Sequence, residues 1–256
     1  MQPQFDHCRI AGIPIVTASR SALADAMVHG CRKQRDNGWP QLVFDANGHA
    51  LSLRETDSAY RQAFADADVV HADGGFLVTL SRWFTRHPIA ERSCTTDLIH
   101  DVARNAEAHD LSFYLLGGSE DVNAECARRL ALLYPGLRIA GRRNGFFSLD
   151  EEPAVIAGIN AAQPDIVWVG LGKPREQVFA AHWRDQLQAG WLVTCGGCFN
   201  YITGEYSRAP IWMRQANLEW LYRLVTRPRH LFWRYLVTTP HALWLALSHI
   251  ARGADR

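Results

Sequence analysis

The sequence predicts an α/β protein: a Rossmann-like, mostly parallel sheet with helices on both faces, plus a C-terminal helical appendage. Three observations carry this expectation. Short apolar runs alternate with helix-like stretches from Ile10 to Cys195, the pattern of a parallel sheet with crossover helices. Most of those runs are rich in Val, Ile, Leu and aromatic residues without polar alternation, as in strands covered on both faces. Beyond about Gly204 the strand signals stop.

The elements follow in order. Strands are expected at residues 10–17, 41–46, 69–72, 111–116, 138–141, 165–171 and 191–195. Helices are expected between them at 20–35, 57–65, 75–84, 96–109, 121–134, 151–161 and 174–187. Two of the later helices carry clear start signals. Ser119 precedes Glu120 and Asp121, and Ser148 precedes Asp150, Glu151, Glu152 and Pro153. A capping hydroxyl and first-turn carboxylates suit the positive end of a helix dipole. Residues 209–252 read as helices broken at Pro228 and Pro240. Residues 1–204 are therefore expected to form the α/β body and 205–256 the appendage.

Composition narrows the function. The 256 residues are 48% hydrophobic and 21% charged, with a formal net charge of +1. This is a folded chain and not a whole-protein nucleic-acid binder. Six scattered cysteines fit a reducing cytoplasm. Residues 1–5 have no basic region followed by an apolar run, so no signal peptide is expected. The charge is unevenly spread. Residues 206–256 hold eight arginines against Glu219 and Asp255, and four of the nine tryptophans. The longest uncharged stretch there, 235–251, is interrupted by Pro240, His241 and His249, and falls short of the ~20 apolar residues of a membrane span. An interfacial helix is expected instead, with Trp233 and Trp244 at the membrane and arginines at the lipid headgroups. The alternative is an appendage that packs its tryptophans on the body.

Ligands of open α/β sheets bind beyond the carboxyl ends of the strands, and five such ends carry polar or glycine-rich residues. Asp45-Ala46-Asn47-Gly48 offers donors and acceptors, or only turn chemistry. Asp73 follows a buried strand and precedes Gly74-Gly75; it is either a catalytic carboxylate or a helix cap. Gly117-Gly118-Ser119 would let backbone N–H groups approach an anion. Gly170-Leu171-Gly172-Lys173-Pro174-Arg175-Glu176-Gln177 is the strongest local suggestion of a phosphate-sugar site. Cys195-Gly196-Gly197-Cys198-Phe199-Asn200 contains a CxxC, read as two small buried cysteines because no second pair or spaced histidines accompany it. No Walker A motif and no Asp-x-Asp is present, so a nucleotide diphosphate would be stabilised by helix ends, backbone N–H groups or arginines.

Taken together, these blocks resemble the WecG/TagA/CpsF family of bacterial glycosyltransferases (glycosyltransferase family 26), from about Ile10 to Tyr235. The resemblance also rests on Thr96-Asp97, Gly145-Phe146-Phe147, Pro164-Asp165-Ile166, Arg208-Ala209-Pro210-Ile211-Trp212 and Leu218-Glu219-Trp220-Leu221-Tyr222-Arg223-Leu224. It implies an inverting transferase that needs neither metal nor cofactor. Such an enzyme moves a sugar from a UDP-sugar to a polyprenyl-diphosphate-linked sugar at the cytoplasmic face of the membrane. The family's general base falls on Asp73. Asp45, Asn47, Gly117, Gly118, Gly170, Gly172, Lys173, Glu176, Gln177 and Asn200 are expected to contact the donor. Arg208, Arg223, Arg229 and Arg234 are expected on diphosphate. The family allows a homo-oligomer.

The chain departs from the family pattern in places that bear on the donor. Asp45-Ala46-Asn47 stands for Thr-x-Asn, Glu176-Gln177 transposes Gln-Glu, and Asn200 ends a block that commonly ends in Asp. His230 and Trp233 occupy positions often held by Arg. These changes tilt the expectation from N-acetylmannosamine polymers toward exopolysaccharide. Two rival classes stand beside this one. A dinucleotide-dependent oxidoreductase would want GxGxxG after the first strand, which Ala11-Gly12-Ile13-Pro14 does not supply. A non-enzymatic membrane adaptor would use the appendage but leaves the polar strand ends unexplained.

Overall fold

The computed structural model describes residues 5–36 and 38–252, without the side chains of 32–36 and 230. Met1–Gln4, and Asp255 and Arg256 of the tail, lie outside the described residues, as do the side chains of Lys33 and His230. Six strands form one all-parallel sheet in the order β4-β3-β8-β7-β5-β6. They are β3 (Gln41–Ala46), β4 (Val69–Ala72), β5 (Ser112–Gly117), β6 (Arg138–Arg143), β7 (Ile166–Gly170) and β8 (Trp191–Thr194). β3, β4, β5 and β8 are buried along their whole length, as their unalternating apolar sequences require. Alternate residues feed two cores. Leu42, Phe44, Val70 and Val167 face one, and Val43, Val69, Trp168 and Trp191 the other.

The expected first strand is corrected. Residues 10–17 are not one strand of the sheet; β1 (His7–Ile10) and β2 (Ile13–Val16) form a separate antiparallel hairpin. Ala11 and Gly12 turn it with φ of 52° and 72°, the left-handed pair of a tight hairpin turn. Pro14 has no N–H to give a central strand.

Seven helices lie near their expected positions: α1 (Arg20–Asp36), α3 (Ser58–Ala65), α4 (Gly75–Phe84), α5 (Thr95–Glu107), α6 (Glu120–Leu133), α7 (Glu152–Ala162) and α8 (Arg175–Trp183). The start signals work as side-chain chemistry: Ser119 Oγ accepts from Val122 N at 3.3 Å, and Ser148 and Glu151 form a capping box. Two helices are not among the expected ones: α2 (Gly48–Thr56) and the short α9 (Cys198–Ile202). After β8 come α9 (Cys198–Ile202), α10 (Ile211–Gln215), α11 (Glu219–Thr226) and α12 (Pro228–Ala251). Pro228 begins α12, but the expected break at Pro240 does not occur; Pro240 lies inside the helix. A mid-helix proline costs about 3 kcal/mol. Here packing on both sides of it holds the helix continuous: Leu231, Ala242, Leu245 and Ala246 are buried, and Ser52 Oγ meets His241 Nδ1 at 2.9 Å.

One buried amide binds a helix to two strand ends. The Asn123 side chain on α6 is fully buried, and its Nδ2 donates to Leu115 O (3.0 Å), Gly117 O (2.8 Å) and Arg143 O (3.1 Å). Asn123→Ala should leave those carbonyls short of a donor and cost about 1–3 kcal/mol. Urea unfolding checks this: the midpoint should fall with the slope unchanged.

Candidate active site

All six strands are parallel, so their carboxyl ends open at one edge of the sheet. There β3 and β4 are drawn together. Asp73 N and Gly74 N both donate to Ala46 O, at 2.9 and 3.0 Å. Asn47 has two tasks. Its Oδ1 caps α2 by accepting from Ala50 N (3.1 Å), and its Nδ2 donates to Asp45 Oδ2 and Asp73 Oδ2, both at 3.2 Å. Asp73 does not cap α4, which has Gly74 before its first residue and no side-chain cap. Its carboxylate is thus left for other partners. Burial works to raise the Asp73 carboxyl, but Arg92, Arg223, Lys173 and the Asn47 amide outweigh it and draw the group down to about 2. Asp73 is therefore a charged acceptor at neutral pH. Beside it His71 is fully buried, and burial lowers its imidazole below the usual range against Asp45 and Asp73.

The 170–177 segment turns inward. The Lys173 side chain is only 8% exposed, and its Nζ reaches both oxygens of Asp45 at 2.5 Å and Glu176 Oε1 at 3.7 Å. The buried ammonium is spent on two carboxylates and is not a free cation. Glu176 and Gln177 are fully buried. Glu176 Oε2 accepts from Gly172 N (2.9 Å) and Gly196 N (3.0 Å), which ties the ends of β7 and β8 together. Burial pushes the Glu176 carboxyl up to about 7, against Lys173 and those two N–H groups. Gln177 Nε2 donates to Glu176 Oε1 and Thr194 Oγ1, each at 3.2 Å. Asp45, Asn47, Asp73, Lys173, Glu176 and Gln177 therefore form one connected cluster.

The glycines bring backbone close to backbone. A Cβ on Gly117, at φ +135°, would fall 2.2 Å from Gly170 O, so only glycine fits where β5 meets β7. Gly118 N donates to Gly170 O at 3.3 Å, and Gly172 closes the loop around Glu176. Asn200, in α9, is half-buried and donates to Glu205 Oε2 at 2.6 Å. Cys195 and Cys198 are both buried, with Cys198 Sγ 3.7 Å from Thr95 O.

The appendage lies against this rim. A Cβ on Gly75 would fall 2.3 Å from Asn217 Oδ1, so the tail packs directly on the start of α4, two residues past Asp73. Arg208 holds Asp97 in a two-pronged bond, 2.9 and 3.0 Å, and Nε reaches Glu219 at 3.2 Å. Arg223 reaches Glu219 at 3.4 Å and lies over the Tyr201 ring at 4.9 Å. Arg229 is exposed on the first turn of α12, and Arg234 lies over Tyr235 at 5.3 Å. Arg208 and Arg223 thus join the rim near Asp73, and Arg229 is not brought into it. Motif reading missed Arg92, in the α4–α5 loop, which pairs with Glu219 and helps keep Asp73 charged. It also missed Glu219 and Tyr201 as site residues. A lone arginine in a loop carries no periodic signal.

The outer face of the tail is apolar. Trp233 is 71% exposed and Trp244 60% exposed. Trp212, Trp220, Phe232, Leu236, Val237, Leu243 and Leu247 are exposed with them. Residues 233, 236, 237, 240, 243, 244 and 247 share one stripe of α12, opposite the stripe buried on α2. Among the described residues no helix is long and apolar enough to cross a membrane.

Comparison with known proteins adds to this geometry. The chain matches the glycosyl transferase WecG/TagA/CpsF family model over residues 8–256. It is 30% identical over 190 residues to an N-acetylglucosaminyldiphosphoundecaprenol N-acetyl-β-D-mannosaminyltransferase of Bacillus spizizenii, covering 74% of this chain and 72% of that one. It is 28% identical over 231 residues to a Bacillus subtilis protein of the same name, covering 90% and 87%. The chain belongs to the WecG/TagA/CpsF family of glycosyl transferases.

Proposed function

We propose that this glycosyltransferase moves a hexose or N-acetylhexosamine from a UDP-sugar to a sugar carried on a polyprenyl diphosphate. The anomeric carbon inverts, and the work is done at the inner face of the bacterial membrane in exopolysaccharide, capsule or related polymer synthesis. The observation that carries this reading is the Asp73 carboxylate at the strand ends, held by the Asn47 amide and kept charged with the help of Arg92 and Arg223. The names of the two Bacillus relatives support the acceptor class, an N-acetylglucosaminyl diphospholipid.

The chemistry follows from charge. An acceptor hydroxyl is a very weak acid, so a base must take its proton as the oxygen attacks C1 of the donor. Attack opposite the leaving group inverts the centre. The diphosphate that departs gathers negative charge, which preorganised guanidinium groups stabilise. The two events are linked. A diphosphate that draws the positive charge of Arg92 and Arg223 toward itself relaxes their hold on Asp73. The carboxylate then becomes a better base when both substrates are present.

The exposed Trp233–Trp244 stripe supports a peripheral membrane site. Apolar surface of this extent on a water-facing helix is otherwise left uncovered, and Arg229, exposed on the first turn of α12, suits anionic lipid.

Asp73→Asn should lower turnover about 100- to 10,000-fold while a UDP-sugar still raises the thermal midpoint. A panel of UDP-sugars on a polyprenyl-diphosphate-GlcNAc acceptor measures it, and wild-type turnover by the variant would remove Asp73 as the base. Trp233→Ser with Trp244→Ser should abolish sedimentation with anionic vesicles. The same double variant should keep turnover on a short-chain, water-soluble acceptor. Undiminished sedimentation would place the membrane contact elsewhere.

A further inference from the structure

Glu219 is an acid set in a strongly basic tail. It begins α11, its side chain is only 3% exposed, and its carboxylate meets three guanidinium groups. Arg92 comes from the body; Arg208 and Arg223 come from the tail, at 3.2 and 3.4 Å. A buried carboxylate among three arginines is more than a pairwise bridge, because it sets the direction of each planar fork. Arg208 turns its other two nitrogens on Asp97. Arg223 lies against Tyr201, and its Nε is buried with no hydrogen-bond partner among the described residues. An orphaned buried donor beside a charged carboxylate site is costly unless something supplies an acceptor.

We propose that Glu219 is a positioning residue for group transfer: it grips Arg92, Arg208 and Arg223 so that unspent donor edges of the body and tail arginines converge beside Asp73, where a diphosphate completes them. This rests on the glycosyl-transfer reading above. The diphosphate is either the one leaving as UDP or the one carrying the acceptor; both present the same oxygens. Glu219 also makes docking of the tail and assembly of the cationic edge one event. Without its charge three half-buried guanidinium groups face each other across a neutral amide, and their mutual repulsion turns the forks away.

The test is a double-mutant cycle in the full chain: wild type, Glu219→Gln, Arg223→Gln and the pair, assayed with a UDP-sugar that the wild type transfers. Glu219→Gln should lower kcat/KM at least about tenfold, and the loss should shrink to about threefold or less in the Arg223→Gln background. Glu219 touches Arg223, so a purely structural role would couple in the thermal midpoints as well; positioning shows as coupling in kcat/KM that the midpoints do not share. Glu219→Asp, which keeps the charge on a shorter arm, should recover part of the activity, and it carries the same cycle if Glu219→Gln does not fold. A loss in kcat with both KM values held assigns the leaving diphosphate; a loss confined to acceptor KM assigns that of the lipid. Losses that multiply, or a Glu219→Gln variant within threefold of wild type, overturn the proposal alone. Absence of transfer by the wild type with every donor overturns the glycosyl-transfer reading and the proposal with it.

Discussion

A carboxylate placed at the end of a buried strand must stay charged while it loses water. Desolvation alone would neutralise it. Asp73 stays charged because Arg92, Arg223 and Lys173 act on it together with the Asn47 amide. These groups come from the α4–α5 loop, from α11, from the β7–α8 loop and from the cap of α2. No local segment supplies them, so the state of Asp73 depends on the whole rim being assembled. The cations in turn are held by other acids: Lys173 by Asp45 and Glu176, Arg92 and Arg223 by Glu219. Alternating charge runs across the rim, and the tail is docked through that alternation as much as through apolar packing.

This explains an apparent contradiction in the tail. Its inner stripe on α12 is small and apolar (Ala242, Leu245, Ala246), its outer stripe is aromatic, and its charges are concentrated before and at the start of that helix. An ordinary surface helix would present its polar face outward. Here both faces are apolar, and the arginines are spent mainly on the body and on aromatic rings. On the proposed reading the outer face belongs to the lipid surface and the arginines to the diphosphate beneath it.

Much of the fold was legible because strand burial leaves a plain record. β3, β5 and β8 each carry an apolar run without polar alternation (Leu42–Phe44, Phe113–Leu116, Trp191–Val193), and Ser119 and Ser148 mark helix starts by a chemistry that acts over three residues. The hairpin β1–β2 was not legible as such, because Ala11-Gly12 interrupts an apolar run that could equally be one strand. α2 was hidden by Asn47-Gly48, a pair that reads as a turn but whose asparagine here starts a helix. Pro240 misled because proline's local cost is fixed while the packing that offsets it, against α2, is nearly two hundred residues away in sequence. Asp73 stood out, since a charge after a buried strand needs a reason. Arg92 did not, because its partners Asp73 and Glu219 are brought to it only by the sheet and the tail.

Lys173 shows how far residue type can mislead about role. A lysine after Gly-x-Gly at a strand end suggests a phosphate ligand, since a point charge beside backbone N–H groups is a common way to hold one. In this chain Asp45 stands at the end of β3, across β8 from the end of β7, and a buried ammonium between Asp45 and Glu176 has no charge to spare. The pair then serves to keep two carboxylates and one cation at fixed places under the donor rim, with Glu176 free to hold Gly172 and Gly196. On the proposed reading a diphosphate is left to Arg92 and Arg223, which also act on Asp73. The cationic work of the site then falls to one arginine of the body and one of the tail, and a tail that docks by charge is part of that catalyst whenever it is seated.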